Sequence, residues 1–441
     1  MTNQPPHVVI LGGGFGGFSA ARALRRARVR VTLIDQRAFS TFQPLLYQVA
    51  SSSLNPGDVT YFLRAARAKQ RNLRVETGTV RTIEADKKRV ILTDDRAVSY
   101  DYLVVATGVE ANFFGIPGAE EHALPLYTRD QAVAIRDQFT ARLEMSARAR
   151  QSLRMVIVGA GPTGVETAGA FAELYDKDLP VLYPELDRAD RSIALVDMAP
   201  RVLGGFSEES SDYTEEELEK RGVDIKLGKK VKEVREDGVL IEDSDTGEED
   251  FLEGALIIWA SGVGVPKAVS KWGLPQVGGG RIPVDERLRV EGHPTIYAAG
   301  DIARVGEGKG LPQLAQPAKQ TGDYIGRDIA ARIAGEELEP FEYADYGVLA
   351  TIGRADAVAE ITHMPRLTGF AAWMLWNSVH IGTLFGGRNR LASFVNLTSK
   401  YLLWSRNQNL IVGDIESRIR ELIAQRKDRK ARGKDPAKAG N

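Results

Sequence analysis

The chain has 441 residues, with 58 Lys and Arg against 59 Asp and Glu, and no cysteine. That length suits two or three domains with an ample core, while the near-neutral charge offers no uniform field for nucleic acid. The missing thiols exclude a disulfide framework, a thiolate nucleophile and a redox cysteine.

Met1 to His7 is polar and carries neither a signal peptide nor a transit segment, so the chain is expected to stay in the compartment where it is made. Val8-Val9-Ile10-Leu11 is short, apolar and β-branched, as a buried parallel strand should be, and runs into Gly12-Gly13-Gly14-Phe15-Gly16-Gly17. In this fingerprint the first glycine makes a tight turn, the second lets backbone approach a pyrophosphate and the third packs helix on strand; the helix N-terminus offers its N–H groups. Arg30 to Ile34 is the next strand and ends at Asp35, near the ~20-residue spacing at which a ribose hydroxyl finds its acceptor. Phe39 to Val59 fits neither period and is expected to be a structured loop lining a site. Arg74 to Leu92 alternates like an antiparallel meander. Tyr100 to Val105 is another buried strand, ending in Ala106-Thr107-Gly108, and Thr128 to Arg150 is helical.

Met155-Val156-Ile157-Val158 then repeats the opening and leads into Gly159-Ala160-Gly161-Pro162-Thr163-Gly164. Its acidic residue is Asp197, after the strand Ser192 to Val196. The spacing is stretched by an insertion, Tyr175 to Arg191, whose purpose the sequence does not state. Thr214-Glu215-Glu216-Glu217 reads as a capping box starting a helix that ends near Gly222. Leu256 to Ala260 is a strand ending in Ser261-Gly262-Val263, and Thr295 to Ala299 is one ending in Gly300-Asp301. Gln316 to Ile333 is the helix that follows, with Ala and Gly on a face suited to close packing.

Two fingerprints in full strand–glycine–helix context predict two bound dinucleotides. The expected fold is α/β with two Rossmann-like domains, the second inserted in the first. The expected division is 1–115 and 276–335 for the first dinucleotide-binding domain, 116–275 for the second and 336–441 for a C-terminal membrane-associating helical region with a basic tail.

The last hundred residues hold three of the five tryptophans, Trp373, Trp376 and Trp404. At 100° per residue Phe370, Trp373, Met374, Ile381 and Leu384 share one face, and Phe394, Leu397, Tyr401 and Trp404 another. Gly386-Gly387-Arg388 and Lys400 interrupt both before the ~18 apolar residues of a transmembrane span accumulate. With the mainly basic Arg418 to Lys438, this suggests interfacial helices beside anionic lipid rather than a plain helical cap.

By these motifs the chain resembles the type II NADH dehydrogenases, single-subunit NADH:quinone oxidoreductases that do not pump protons, within the two-dinucleotide disulfide-reductase-like flavoproteins. The likeness runs to about Gly413. It is most specific at Phe42-Gln43-Pro44-Leu45-Leu46-Tyr47-Gln48-Val49-Ala50, Gly159 to Glu166, Tyr297 to Asp301, Leu311 to Gln320 and Ala372 to Arg390. The resemblance implies non-covalent FAD on Gly12, Gly14, Phe15, Gly16, Gly17, Asp35, Gln43, Gln48, Thr107, Gly108, Gly300, Asp301, Ala315 and Gln316. It implies NADH, as substrate, on Gly159, Gly161, Thr163, Gly164, Glu166, Asp197, Ser261 and Gly262. Gln316, Gln320 and His380 are implied at a quinone pocket, with Glu166, Gln316 and Gln320 as the catalytic set and no metal. Thr321 stands where many members carry a second Gln or Glu. The partners implied are NADH, a membrane quinone (menaquinone or ubiquinone) and the membrane surface, at the cytoplasmic face of the cell membrane. A homodimer burying the same apolar faces competes with that surface. Asp197 favours NADH over NADPH, because a carboxylate bonds a free 2′-hydroxyl and repels a 2′-phosphate.

Two other readings share the fingerprints. A reductase of a soluble electron-transfer protein would need a charged docking patch and a β-rich C-terminal interface, whereas this tail is helical and Trp-rich. A flavin- and NADH-binding redox sensor would lack fast multiple turnover.

Overall fold

The two β-branched runs that precede the fingerprints each lie inside a parallel sheet. The computed structural model describes residues 4–186, 191–308, 310–402 and 415–432. They form two units: Met1–Thr41, Thr60–Asn112 and Val263–Asp345 in the first, and Phe42–Val59, Phe113–Gly262 and Tyr346–Asn441 in the second. The units do not follow chain order as the four-part division above does, because Phe42–Val59 and the C-terminal segment both belong to the second.

In the first unit His7–Leu11 is flanked by Arg30–Asp35 and Tyr102–Val105, with Leu73–Thr77 and His293–Ala298 outside them; the short Arg289–Val290 closes one edge. Val8 to Leu11 are fully buried, as a strand covered on both faces requires. The helix Phe15–Ala23 lies against Ala315–Ala334 at a glycine crossing: a Cβ on Gly322 would sit 2.0 Å from the Gly16 carbonyl oxygen. The expected meander from Arg74 is corrected at its start. Leu73–Thr77 is parallel and joins the main sheet, and only Val80–Glu84, Arg89–Leu92 and Ala97–Ser99 form antiparallel pairs. A parallel edge strand with one covered face alternates like a hairpin strand, so periodicity alone could not separate them.

In the second unit the order is Leu124–Pro125, Leu256–Trp259, Leu153–Val158, Arg191–Val196, Val223–Lys226, all parallel. Thr128 caps Arg129–Ala149 in a capping box with Gln131. The helix expected to start at Thr214 begins earlier, at Glu208, capped by the Ser207 hydroxyl; Thr214 lies inside it and donates its hydroxyl to the Ser210 carbonyl. Thr-x-x-Glu also occurs inside helices, and here the preceding Ser207 is the residue with extended backbone. The insertion lengthens the second fingerprint helix through a π turn, Leu174–Asp178, to Leu179–Leu182. Tyr175 stacks on Phe139 at 6.1 Å and the Tyr183 hydroxyl donates to Glu144 at 2.9 Å. Phe42–Val59 is not a loop throughout: Gln43–Leu45 is a 3₁₀ turn and Leu46–Ala50 a fully buried helix.

The C-terminal part opens with the hairpin Val348–Gly353 and Asp356–Glu360, whose backbone lies on the second fingerprint helix; a Cβ on Gly169 would be 2.0 Å from the Ile352 carbonyl oxygen. The helix Gly369–Thr383 packs on this hairpin. Its predicted apolar face is divided: Trp373 and Leu384 are buried, while Phe370 and Met374 are exposed; Trp376, off that face, is buried as well. The helix Gly387–Leu402 is tied to Phe42–Val59 by Lys400 Nζ donating to Ser53 Oγ at 2.6 Å and Asn396 Nδ2 to Asp58 at 2.7 Å. The basic segment from Arg418 is not simply a tail: within Ile415–Arg432, Ile419 and Leu422 are buried against Ala141. Trp404 and residues 433–441 lie outside the described residues.

Candidate active site

The two fingerprints are built alike, residue for residue. Gly12 and Gly159 hold φ of +98° and +108°, a conformation that a side chain would strain. A Cβ on Gly17 would meet the Gly12 carbonyl oxygen at 1.9 Å, and one on Gly164 the Gly159 carbonyl oxygen at 1.7 Å. The middle glycines differ in kind: nothing lies within 4 Å of a Cβ on Gly14 or Gly161. Packing within the fold therefore does not require glycine at either of them. Each also precedes a helix with no side-chain cap, so first-turn N–H groups remain available to an anion. The acids are equally matched. Asp35 accepts from Gly13 N at 2.6 Å and Arg37 N at 2.6 Å, and Asp197 accepts from Ala160 N at 2.6 Å and Ala199 N at 2.8 Å. Burial raises the Asp35 carboxyl above its ordinary value, against the pull of those N–H groups.

Also in the first unit, Thr107 keeps a buried hydroxyl oxygen with no hydrogen-bond partner, and Gly108 has φ of +70°. Gly300 donates its N–H to Thr321 Oγ1 at 3.0 Å, and that hydroxyl donates to the Pro317 carbonyl at 2.7 Å. Thr321 therefore locks the Gly300-Asp301 turn to the helix Ala315–Ala334. Ala315 and Gln316 sit in that helix's first turn, which has no side-chain cap. Gln320 has both amide groups on one partner, donating to the Ala344 carbonyl at 2.8 Å and accepting from Ala344 N at 3.0 Å. Beyond these two bonds the amide has a second N–H and a second carbonyl lone pair for a ligand.

In the second unit, Ser261 and Gly262 follow the strand beside the fingerprint, and Gly262, at φ +70°, lies under the Phe114 ring. Thr163 is exposed in the first helical turn. Glu166, one turn further, is buried; its Oε1 accepts from the Trp376 indole N–H at 3.0 Å and, at 3.4 Å, from Thr351 N. Burial pushes its carboxyl up to about 8, partly opposed by those two donors. Trp376 stacks on His380 at 4.0 Å and meets the Tyr47 ring edge-on at 6.0 Å. The His380 Nδ1–H donates to the Trp376 carbonyl at 2.8 Å. Gln48 donates to the Tyr47 hydroxyl at 2.8 Å, while its own carbonyl oxygen is buried without a partner. Burial and the charge of Glu166 raise the Tyr47 hydroxyl well above its ordinary value. Gln43 is half-buried at the start of its 3₁₀ turn.

The pyridine nucleotide-disulphide oxidoreductase model matches residues 6–322, and the NDH2 C-terminal domain model matches residues 346–407. The type II NADH:quinone oxidoreductase Ndh of Mycobacterium tuberculosis is 34% identical, over 96% of this chain and 94% of that protein. The chain belongs to the type II NADH:quinone oxidoreductases. The type II NADH:quinone oxidoreductase of Staphylococcus aureus is 30% identical, over 85% of this chain and 94% of that protein. NDH2 of Plasmodium falciparum, solved in complex with NADH, has the same fold, with a TM-score of 0.84 at 24% identity over 93% of this chain and all of that one. The sulfide:quinone oxidoreductase of Aquifex aeolicus shares the fold at a TM-score of 0.73 and 19% identity. Membership in a family named for disulphides coexists here with a chain that has no cysteine. What this type II NADH:quinone oxidoreductase retains is the nucleotide-binding frame, not thiol chemistry.

Sequence reasoning found Glu166 but missed its neighbours Thr351, Trp376 and Tyr47. Gly169, one turn beyond Glu166, was the available signal, since a mid-helix glycine marks a close backbone approach. Trp376, which the sequence placed on neither apolar face of the Trp-rich tail, belongs to the interior, where its N–H has a buried carboxylate to satisfy.

Proposed function

We propose that the first fingerprint, Asp35, Thr107-Gly108, Gly300-Asp301 and the uncapped first turn at Ala315 and Gln316 hold FAD, and that the second fingerprint, Asp197, Ser261 and Gly262 hold NADH. The open space over Gly14 and Gly161 and the unpartnered Thr107 hydroxyl support both assignments. Bound flavin supplies the two-electron acceptance and donation that a cysteine-free chain lacks. The N–H groups of the two helix N-termini bind pyrophosphate, and those near Gln316 favour negative charge at the flavin's edge. Glu166, poised near neutral pH, carries a proton toward the reduced quinone, with His380 beside it on the stacked Trp376 ring.

The observation that carries this reading is the burial of Glu166 on the NADH-fingerprint helix, bonded to the C-terminal helix. Stopped-flow absorbance tests it: NADH bleaches the flavin band near ~450 nm and a short-chain quinone restores it within the same cycle. Bleaching without restoration by quinone points instead to a protein acceptor or a sensor.

The nucleotide preference follows from Asp197, whose carboxylate already accepts two backbone N–H groups and repels a 2′-phosphate. The ratio kcat/KM for NADH should exceed that for NADPH by about 100-fold, the scale of a like-charge clash of several kcal/mol. Equal values contradict the assignment.

Among the described residues no helix is long and apolar enough to cross a membrane. The exposed Phe370, Met374, Leu391, Phe394 and Val395 are proposed to enter the interface of the cytoplasmic leaflet, which gives the enzyme access to a lipid-soluble quinone. Phe370→Ser with Phe394→Ser should lower affinity for neutral lipid vesicles at least about 10-fold, since each buries on the order of 2 kcal/mol of apolar surface. Turnover with a water-soluble quinone should be unchanged. Removing the whole tail is the poorer test, because it also removes Thr351 and Trp376 from Glu166.

A further inference from the structure

One group of cations in the first unit is distributed unlike the charges elsewhere. On the antiparallel sheet of the second unit cations meet acids, Lys229 pairing with Asp243 and Lys232 with Glu242. From the last turn of the first fingerprint helix onward, Arg22, Arg25, Arg26 and Arg28 are exposed on a stretch without an acid. The segment from Tyr61 to Asn72, also free of acids, is fastened across it. Asn72 donates to the carbonyls of Leu24 and Ala27, Gln70 donates to that of Ala21, and Tyr61 meets Phe18 edge-on. It brings Arg64, Lys69 and Arg71, all exposed, to the same end of the unit. Among the described residues none of these seven cations has an ion-pair partner. Phe62, 55% exposed, lies between Tyr61 and the first of this second group.

The face continues into a cavity of about 560 Å³ lined by Arg64, Arg67, Arg74, Glu76 and Arg96. Part of this wall is structural. Arg67 donates to the Leu73 carbonyl and Arg96 to the Thr77 carbonyl, covering the open edge of the parallel sheet. Arg74 and Arg96 are also held by Glu76. Arg64 has no such duty, and it faces a concavity whose other guanidinium groups are already fixed in place.

We propose that this arginine face and its cavity bind the headgroups of anionic phospholipids. A bilayer is favoured over a dissolved polyanion because the enzyme's second substrate is lipid-soluble and because an aromatic ring stands exposed among the cations. Apolar insertion alone gives reversible attachment, and a basic surface is the second signal that makes it stable. The proposal rests on the membrane reading of the C-terminal helices, but its signature is different: a dependence on lipid charge and on salt that follows the first unit's arginines rather than the basic segment after Arg418.

The test uses the full-length holoenzyme with Arg25→Gln, Arg26→Gln, Arg64→Gln and Lys69→Gln combined, in co-flotation with vesicles of phosphatidylcholine alone or mixed with phosphatidylglycerol. The unsubstituted enzyme should bind the mixed vesicles at least about 10-fold more tightly, and lose that margin as salt rises from ~0.1 M to ~1 M and the Debye length falls from about 10 to about 3 Å. The fourfold variant, which keeps Arg22, Arg28, Arg71 and the basic C-terminal segment, should lose most of that margin while keeping its flavin and its turnover with a water-soluble quinone. Retention of the margin by the variant overturns the proposal, as does an unsubstituted enzyme indifferent to lipid charge, including one that instead captures duplex DNA. Loss of neutral-vesicle binding in the Phe370 and Phe394 variant, with the charge margin intact, separates the two membrane readings.

Discussion

Glu166→Gln lowers NADH:quinone turnover by about 100-fold near neutral pH, the lower range of what a positioned acid or base contributes. Glutamine keeps the shape and still accepts from Trp376 and Thr351, so NADH affinity changes little. The unsubstituted enzyme should show an inflection in turnover near pH 8, where burial has pushed the Glu166 carboxyl, and the variant should lack it. Trp376→Phe removes the indole N–H that steadies the charged carboxylate, so the inflection moves above pH 8. An unchanged inflection in Glu166→Gln would assign it to another group. Stability supplies an independent sign. Unfolded, this carboxyl loses its proton near pH 4.5; folded, it holds the proton to about pH 8. Across that window the unfolded state binds fewer protons, and native stability falls as pH rises. The glutamine variant avoids this loss. Its Tm should exceed that of the unsubstituted enzyme at pH 8, and the difference should vanish near pH 4, where both states carry the proton. A residue kept at the expense of stability is what a functional carboxyl should look like.

Local pattern carried the fingerprints, their acids and most strands, because each follows one short order, a buried run, a glycine turn, a helix, an acceptor, with the backbone N–H and its acid 22 residues apart in the first copy and 37 in the second. Family and activity were legible for the same reason. What was not legible depends on segments distant in the chain. Glu166 meets Thr351 and Trp376 across 185 and 210 residues, and no periodicity reports such a meeting. The tryptophans of the C-terminal helix show the same limit. An apolar face predicts burial against something, and whether that is lipid or protein is decided by the hairpin Val348 to Glu360, which the sequence does not place beside it. Gln320 was placed in the site by its motif, yet the structure gives both its amide groups to Ala344.

The glycines offer the second large effect, with an internal control. Gly164→Ala places a methyl 1.7 Å from the Gly159 carbonyl oxygen, and Gly17→Ala places one 1.9 Å from that of Gly12. Backbone must move in both, so each should lower Tm and destroy the cradle it closes. Gly17→Ala should yield a colourless protein. Gly164→Ala should keep its yellow flavin but raise the KM for NADH by about 100-fold or more, the cost of misplacing a bound reactant by an ångström. Gly14→Ala and Gly161→Ala differ because their methyl groups enter open space. With no clash inside the fold, Tm of the apoprotein should hold or rise slightly, through the reduced freedom of the unfolded chain. Affinity for the nucleotide should still fall, since the methyl occupies the approach to the pyrophosphate. Thermal shifts with and without added NADH, set beside flavin content, separate the two classes. If Gly161→Ala binds NADH like the unsubstituted enzyme, the space above it is not where the pyrophosphate lies, and the match between the two fingerprints would reflect shared ancestry of the fold rather than two working nucleotide sites.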